Sequence, residues 1–361
     1  MSEEKKNENG INPEDREIDK LPSELEDNST KAKSTQGLVT SISKAGGGEG
    51  LGDFDFNRFF GSVFRPHTEE EIEESLIVGT STTTPSIHNI SLEYPQPWLF
   101  FRLVSASVIL FYGFVFSYNS FQNPKLLPGL IITGSFAVPI STLFLFFELN
   151  IRRNVPIWQI IRLVFFGGIL SLFSALILFS NTSFLASLGA AAAGPIEEPA
   201  KLAALVALMQ GKRKFPYILN GLLLGAAVGC GFAAFESAGY ALETLIQGGN
   251  INNMINIIQL RGVLSPFMHI VWTSIAGAAL WRVQRGGPFY FNLVKTKEFY
   301  MPFGIAVGCH MFWNSEIGSS WPFEIHYIIP GLVAWIVALS HVNLGIKQLA
   351  KEKSGVKIFK D

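Results

Sequence analysis

Glu197 and Glu198 stand side by side in the stretch Gly194-Pro195-Ile196-Glu197-Glu198-Pro199-Ala200-Lys201, inside an apolar run from Phe184 to Met209. On insertion scales an acidic residue at the centre of a membrane helix costs about 2.5–3.5 kcal/mol, so the pair costs roughly 5–7 kcal/mol before compensation. A site buried among helices is the reading that accounts for that cost. Further on, Phe232, Glu236 and Tyr240 recur at four-residue spacing. His269 precedes Thr273 by one turn, and His310 precedes Asn314 by one turn. A lone histidine in an apolar helix is usually a satisfied structural residue. Two of them in runs that neighbour acidic ones point instead to a shared site.

Carboxylates and imidazoles converging away from water suit the activation of a water molecule. A desolvated Glu can act as general base near neutral pH, and His and Asn donors can stabilise a developing oxyanion. Alternatively, two His and one Glu can hold Zn²⁺ with water in the open position. The HExxH spacing of soluble zinc proteases is absent, so a metal site has to be assembled from separate helices. No aspartate lies in the apolar runs, which argues against a Ser-His-Asp arrangement, and no Gly-rich phosphate loop precedes a basic helix. Within the first motif, Glu197 and Lys201 are four apart and share a helix face, while Glu198 points about 100° away. The spacing therefore predicts that Lys201 offsets Glu197 and leaves Glu198 free to face a cavity. Pro195 and Pro199 each remove a backbone donor and loosen the helix there.

The elements that must position these groups are membrane helices. Eight hydrophobic spans are expected, over approximately 98–118, 126–148, 157–180, 184–209, 216–246, 261–283, 299–317 and 325–346. The fold class is thus all-α, a polytopic membrane bundle of about eight helices. Residues 1–96 hold 19 acidic and 9 basic side chains, and residues 97–361 hold 10 acidic and 19 basic. An acidic tail on an apolar body with basic loops is a membrane-protein pattern and gives no reason to expect a nucleic-acid partner. Basic residues fall in alternate connections, at Arg152 and Arg153, at 212–214, and at Arg285, Lys295 and Lys297, with Lys125 and Arg261 as exceptions. The positive-inside rule then puts both termini in the cytoplasm. The expected organisation is a disordered acidic tail over 1–96 with a Phe-rich patch at 54–64, a membrane domain over 97–348 with its core at 184–317, and a basic tail over 349–361.

Gly221, Gly225, Gly229, Ala233 and Ser237 form a ridge of small residues at four-residue spacing, which lets another helix approach closely. Depth ties the polar groups together. At about 1.5 Å per residue, Glu198, Glu236, His269 and His310 lie roughly 21, 15, 12 and 10 Å below the extracytoplasmic ends of their spans, in a single layer. Cys230 and Cys309 fall inside apolar runs and suggest neither a disulfide framework nor a Cys-type zinc motif.

Taken in order, Glu197-Glu198-Pro-Ala-Lys201 matches EExxK, Phe232-Ala-Ala-Phe-Glu236 matches FxxxE, and His269 and His310-Met-Phe-Trp-Asn314 follow, the latter an HxxxN pattern. On successive spans these motifs resemble the PrsW family of intramembrane proteases over roughly residues 160–346. The related CAAX-prenyl endopeptidases carry FxxxH at the second motif, so Glu236 favours the PrsW branch. The resemblance implies hydrolysis of a peptide bond of a membrane-anchored protein. The expected partners are a single-pass membrane substrate and the lipid bilayer, with cleavage near the extracytoplasmic side. On this reading Glu198 is the base, with Glu197 assisting and Lys201 and Phe232 supporting. Glu236, His269 and His310 position water or a metal, Zn²⁺ being the candidate, and Asn314 helps to bind the oxyanion. Two other classes stay open at this point: a non-catalytic scaffold of the same superfamily, and a proton or ion transporter using the carboxylate–histidine chain.

Overall fold

The computed structural model describes residues 36–211, 215–322 and 325–359. Among them there is no strand. The body consists of α1 (Leu99–Phe121), α2 (Leu127–Leu149), α3 (Ile157–Asn181), α4 (Ala193–Met209), α5 (Ile218–Gly248), α6 (Ile251–Leu264), α7 (His269–Gln284), α8 (Lys297–Trp313) and α9 (Ile325–Lys353). Among the described residues six stretches are long and apolar enough to cross a bilayer: α1, Pro124–Leu149, α3, α5, α6 with α7, and α9. The protein is an integral, multi-pass membrane protein. The expected fourth and seventh spans are the 17-residue helices α4 and α8, each about 25 Å long at 1.5 Å per residue.

Local chemistry explains the differences from eight plain spans. Ahead of α4, residues Ser183–Ala192 turn as a 3₁₀ segment interrupted at Gly189, whose φ of 56° suits only a residue without a Cβ. The expected sixth span, 261–283, is two helices. α6 ends at Leu264, Ser265–Phe267 form a 3₁₀ turn around Pro266, and Met268 leaves helical geometry before α7 begins at His269. His269 is therefore the first residue of a helix rather than part of its middle. Asn181 and Thr182 send their side chains back to the carbonyls of Ile177 and Leu178, which satisfies the open end of α3.

α5 is the central element and is buried along most of its length. Its small-residue ridge faces α7. A Cβ on Gly225 would strike the Thr273 carbonyl, and one on Gly229 would come within 2.5 Å of the His269 carbonyl. Gly277 on α7 returns the contact by lying against Gly221. This backbone-to-backbone approach brings the start of α7 and the later turns of α5 into one place.

The expected disordered tail over 1–96 falls partly outside the described residues, which begin at 36. From there the segment is folded onto the body. Residues 36–45 are helical, Gly46 and Gly48 pack on Val337 and Ser340 of α9, and Arg282 donates to the Gly47 carbonyl. Asn343 donates to the Gly50 carbonyl at 3.1 Å. The Phe-rich patch docks here as well: Phe59 is buried, and Phe54 lies 5.2 Å from its ring and 5.3 Å from that of Tyr94. These contacts bury enough apolar area to order a stretch whose composition alone suggests otherwise. The expected basic tail from 349 continues α9 to Lys353, and Phe359 then packs edge-on to Tyr217.

Candidate active site

Glu197 and Glu198 open the second turn of α4, Glu236 lies in the later half of α5, His269 starts α7 and His310 lies near the end of α8. The structure brings all five together. His310 Nδ1 is 2.8 Å from Glu198 Oε1, and His269 Nε2 is 3.0 Å from Glu236 Oε2. Glu198, Lys201, His269 and His310 are buried, with Glu198 and Lys201 fully so, while Glu197 keeps 7% of its surface exposed.

The two imidazoles are backed in the same way. Each has one ring nitrogen tied to a carboxylate behind it, Glu236 for His269 and Glu198 for His310, and turns the other toward Glu197. Glu197 Oε2 lies 3.7 Å from His310 Nε2 and 4.0 Å from His269 Nδ1. A carboxylate behind a histidine fixes its tautomer and ring orientation and raises its basicity. His310 donates from Nδ1, which leaves Nε2 with a free lone pair on the Glu197 side. Glu197 Oε2 has no hydrogen-bond partner among the described residues although it is buried, which marks it as an atom held for something outside the chain.

Lys201 sits differently from the i,i+4 expectation. Its Nζ is 2.6 Å from Glu198 Oε1 and 3.8 Å from Glu197 Oε2, because the ammonium points into the bundle, where Glu198 also points. It donates in addition to His269 Nδ1 at 2.8 Å and lies 4.3 Å from the Phe232 ring centroid. Phe232 thus walls the cation and touches His269, their rings 5.0 Å apart. Of the two glutamates, Glu198 is the one tied down by Lys201 and His310, and Glu197 faces the open side.

The donor atoms that converge are those of Glu197, His269 and His310, all within 4.8 Å of one another. Glu236, expected beside the two histidines as a ligand, stands behind His269, and its Oε2 also accepts from Arg261 of α6. Two imidazoles and one carboxylate are the donor set of many catalytic zinc sites, and the unpartnered Glu197 Oε2 fits such an ion. Asn314 follows the last turn of α8, its amide bonded to the His310 carbonyl at 3.2 Å. Its side chain takes no part in the hydrogen bonds that join the cluster among the described residues.

Two contributors are not evident from the motifs. Trp272, one turn after His269, stacks on His310 with ring centroids 4.5 Å apart. Arg261 pairs with Glu236, and the signal for it was an arginine in an otherwise uncharged connection. At the presumed start of a span a cation needs no partner, and only the extension of α6 back to Ile251 puts Arg261 inside the bundle.

Comparisons with curated proteins and with solved structures give no match. The family model for PrsW family intramembrane metalloproteases matches residues 155–340, just over half of the chain and all of the residues of this cluster. Four motifs on successive helices, closed into one buried cluster, and that match lead to the same conclusion: the chain belongs to the PrsW family of intramembrane metalloproteases.

Proposed function

We propose that this protein is an endopeptidase that hydrolyses a peptide bond of a single-pass membrane protein near the extracytoplasmic side. The observation that carries the reading is the pair of carboxylate-backed histidines turned toward one unpartnered carboxylate oxygen, Glu197 Oε2, in a buried site. Arg152, Arg153, Arg282 and Arg285 lie at the other ends of the helices that carry or support the site, and the excess of basic residues there supports cytoplasmic termini.

In this mechanism Glu197 takes the proton of the attacking water, since Glu198 is already engaged by Lys201 and His310. This exchanges the roles that spacing alone assigns to the two glutamates. Lys201 and Glu198 form the fixed charge pair behind the site, and Glu236 keeps His269 in the Nε2–H form. Proton transfer to the leaving amine falls to Glu197 once it has been protonated, with His310 Nε2 beside it at 3.7 Å. On this reading Asn314, one turn beyond His310, is the residue assigned to the substrate carbonyl. Were a Zn²⁺ ion bound, Glu197, His269 and His310 would hold it in place of the Lys201 hydrogen bond to His269 Nδ1, Glu197 would then serve as a ligand instead of the base, and the ion would supply a water of lowered pKa and polarise the scissile carbonyl.

The test is cleavage of a membrane-anchored reporter by purified protein in proteoliposomes, with metal analysis of the same preparation. Cleavage lost in Glu197→Gln and in His310→Gln, with both variants folded, is the expected result. Full activity in Glu197→Gln would overturn the assignment of the base. Activity abolished by a chelator and restored by Zn²⁺ would establish the metal; chelator-resistant cleavage by metal-free protein would remove it.

A further inference from the structure

The proposed chemistry draws its groups from α4, α5, α7 and α8 and leaves α6 without a part. Yet α6 sends one cation into the site. The Arg261 guanidinium pairs with Glu236 Oε2, donates from Nε to Ser237 Oγ at 2.9 Å and lies over the Tyr240 ring, 4.4 Å from its centroid. These are three attachments to a single face of α5. The same Glu236 oxygen receives His269 Nε2 at 3.0 Å, so it is fixed from two sides.

We propose that Arg261 is a positioning residue for the hydrolysis, acting through Glu236 on the His269 ring, which makes α6 part of the working site. The inference rests on the protease reading for its catalytic readout, and on geometry alone for its structural one. Only Ser265–Met268 separate α6 from α7, so the grip of Arg261 on α5 also sets where α7 begins. With the guanidinium removed, Glu236 loses its one cationic contact on that side. His269 then loses a fixed acceptor for Nε2–H, and Nδ1 is no longer held toward Lys201 and Glu197. A planar fork can hold Glu236 and Ser237 at once, whereas an ammonium supplies charge at a single point. Side chains in this second layer of a site typically change activity or metal affinity by about 10–100-fold when removed.

Arg261→Ala, Arg261→Lys and Ser237→Ala are compared with wild type in nanodiscs, with ¹⁵N-labelled histidine. Reporter kinetics are measured together with the His269 ¹⁵N signal, assigned by its loss in His269→Gln. Arg261→Ala is expected to lower kcat about 10–100-fold with little change in KM, and to convert His269 from one tautomer to a mixture. Added guanidinium should restore part of both, and Arg261→Lys should fall between. Ser237→Ala cuts an anchor of Arg261 but leaves its ion pair, and should stay within a few-fold of wild type. Unchanged kcat and an unchanged His269 tautomer in Arg261→Ala would overturn the proposal, as would an equal loss in Ser237→Ala. Should Arg261→Ala not fold, wild-type kcat and tautomer in Arg261→Lys would overturn the need for the fork. A wild-type protein that cleaves no reporter removes the protease reading alone, and the tautomer shift still decides whether Arg261 sets His269.

Discussion

Two polar clusters are buried along α5, one at its start and one past its middle, and they are built on opposite terms. Near its start, Asn220 exchanges hydrogen bonds with Asn154, its Nδ2 also donates to Asn150 Oδ1 at 3.1 Å, and its Oδ1 accepts from the Tyr217 amide at 3.2 Å. That cluster is neutral and closed. It ties the turn between α2 and α3 to α5 and leaves no fully buried side-chain atom of its own unpaired among the described residues. The cluster around Glu236, roughly 24 Å along the same helix at 1.5 Å per residue, is ionic, and Glu197 Oε2 and Glu198 Oε2 are left over. Both clusters meet the cost of burying polar groups in an apolar bundle. The closed one turns that cost into a fixed backbone. The open one keeps acceptors for water, a cation or substrate, and its unmatched oxygens separate a reacting site from a structural one.

The sharpest way to break this contrast is to neutralise one atom at the open cluster. Glu197→Gln should lower reporter cleavage by about 10²–10⁴-fold, while unfolding in a detergent titration stays at the wild-type midpoint. Lys201→Met comes next. It leaves Glu198 charged and fully buried without its cation, so the protein should lose about 3–5 kcal/mol of stability together with its activity. Wild-type stability in that variant would mean that the ion pair is not formed.

At the closed cluster the outcome should be reversed. Asn220→Ala leaves Asn150 and Asn154 partly unpaired and should cost about 1–3 kcal/mol, with kcat retained in the folded fraction. A folded but inactive Asn220 variant would end the distinction between the two clusters. Gly225→Ala tests the packing that joins them, since its Cβ meets the Thr273 carbonyl. About 1–3 kcal/mol of destabilisation is expected, with slower cleavage as α7 moves off α5.

The smallest effect belongs outside the membrane. The Lys347 ammonium, 2.6 Å from Glu49, holds that carboxyl below the ordinary glutamate range. Its contribution is present above the unfolded-state value and is lost as pH falls through the lowered folded one. Because the pair is exposed, Glu49→Gln should change stability by less than about 1 kcal/mol at neutral pH, with cleavage unchanged.

Much of the site was legible along the chain because burying charge in lipid is costly enough to be conspicuous. Glu197, Glu198, Glu236, His269 and His310 are polar residues in runs that otherwise exclude them, and one turn of helix separates each from its motif partner. Apolar length likewise identified a membrane bundle, and four-residue spacing of small side chains identified a close helix contact. These are one-dimensional signals, set by the rise of a helix and the thickness of a bilayer.

What spacing could not decide is direction and partner. Glu197 and Glu198 are both within reach of Lys201, and only the packing of α8 against α4 shows that Glu198 is the one bonded to His310 and Lys201. The ridge on α5 names no neighbour until Gly225 is seen against Thr273. Composition marked residues 36–96 for disorder, since contacts such as Asn343 to Gly50 join positions far apart in the chain and leave no local trace. Arg261 looked like a loop residue because its value depends on Glu236, 25 residues earlier and on another helix. The chain by itself determined which groups are costly to bury in an apolar run. Tertiary structure alone decided which of them neutralise one another and which oxygens are left without a partner, because that balance is struck between helices and not along them.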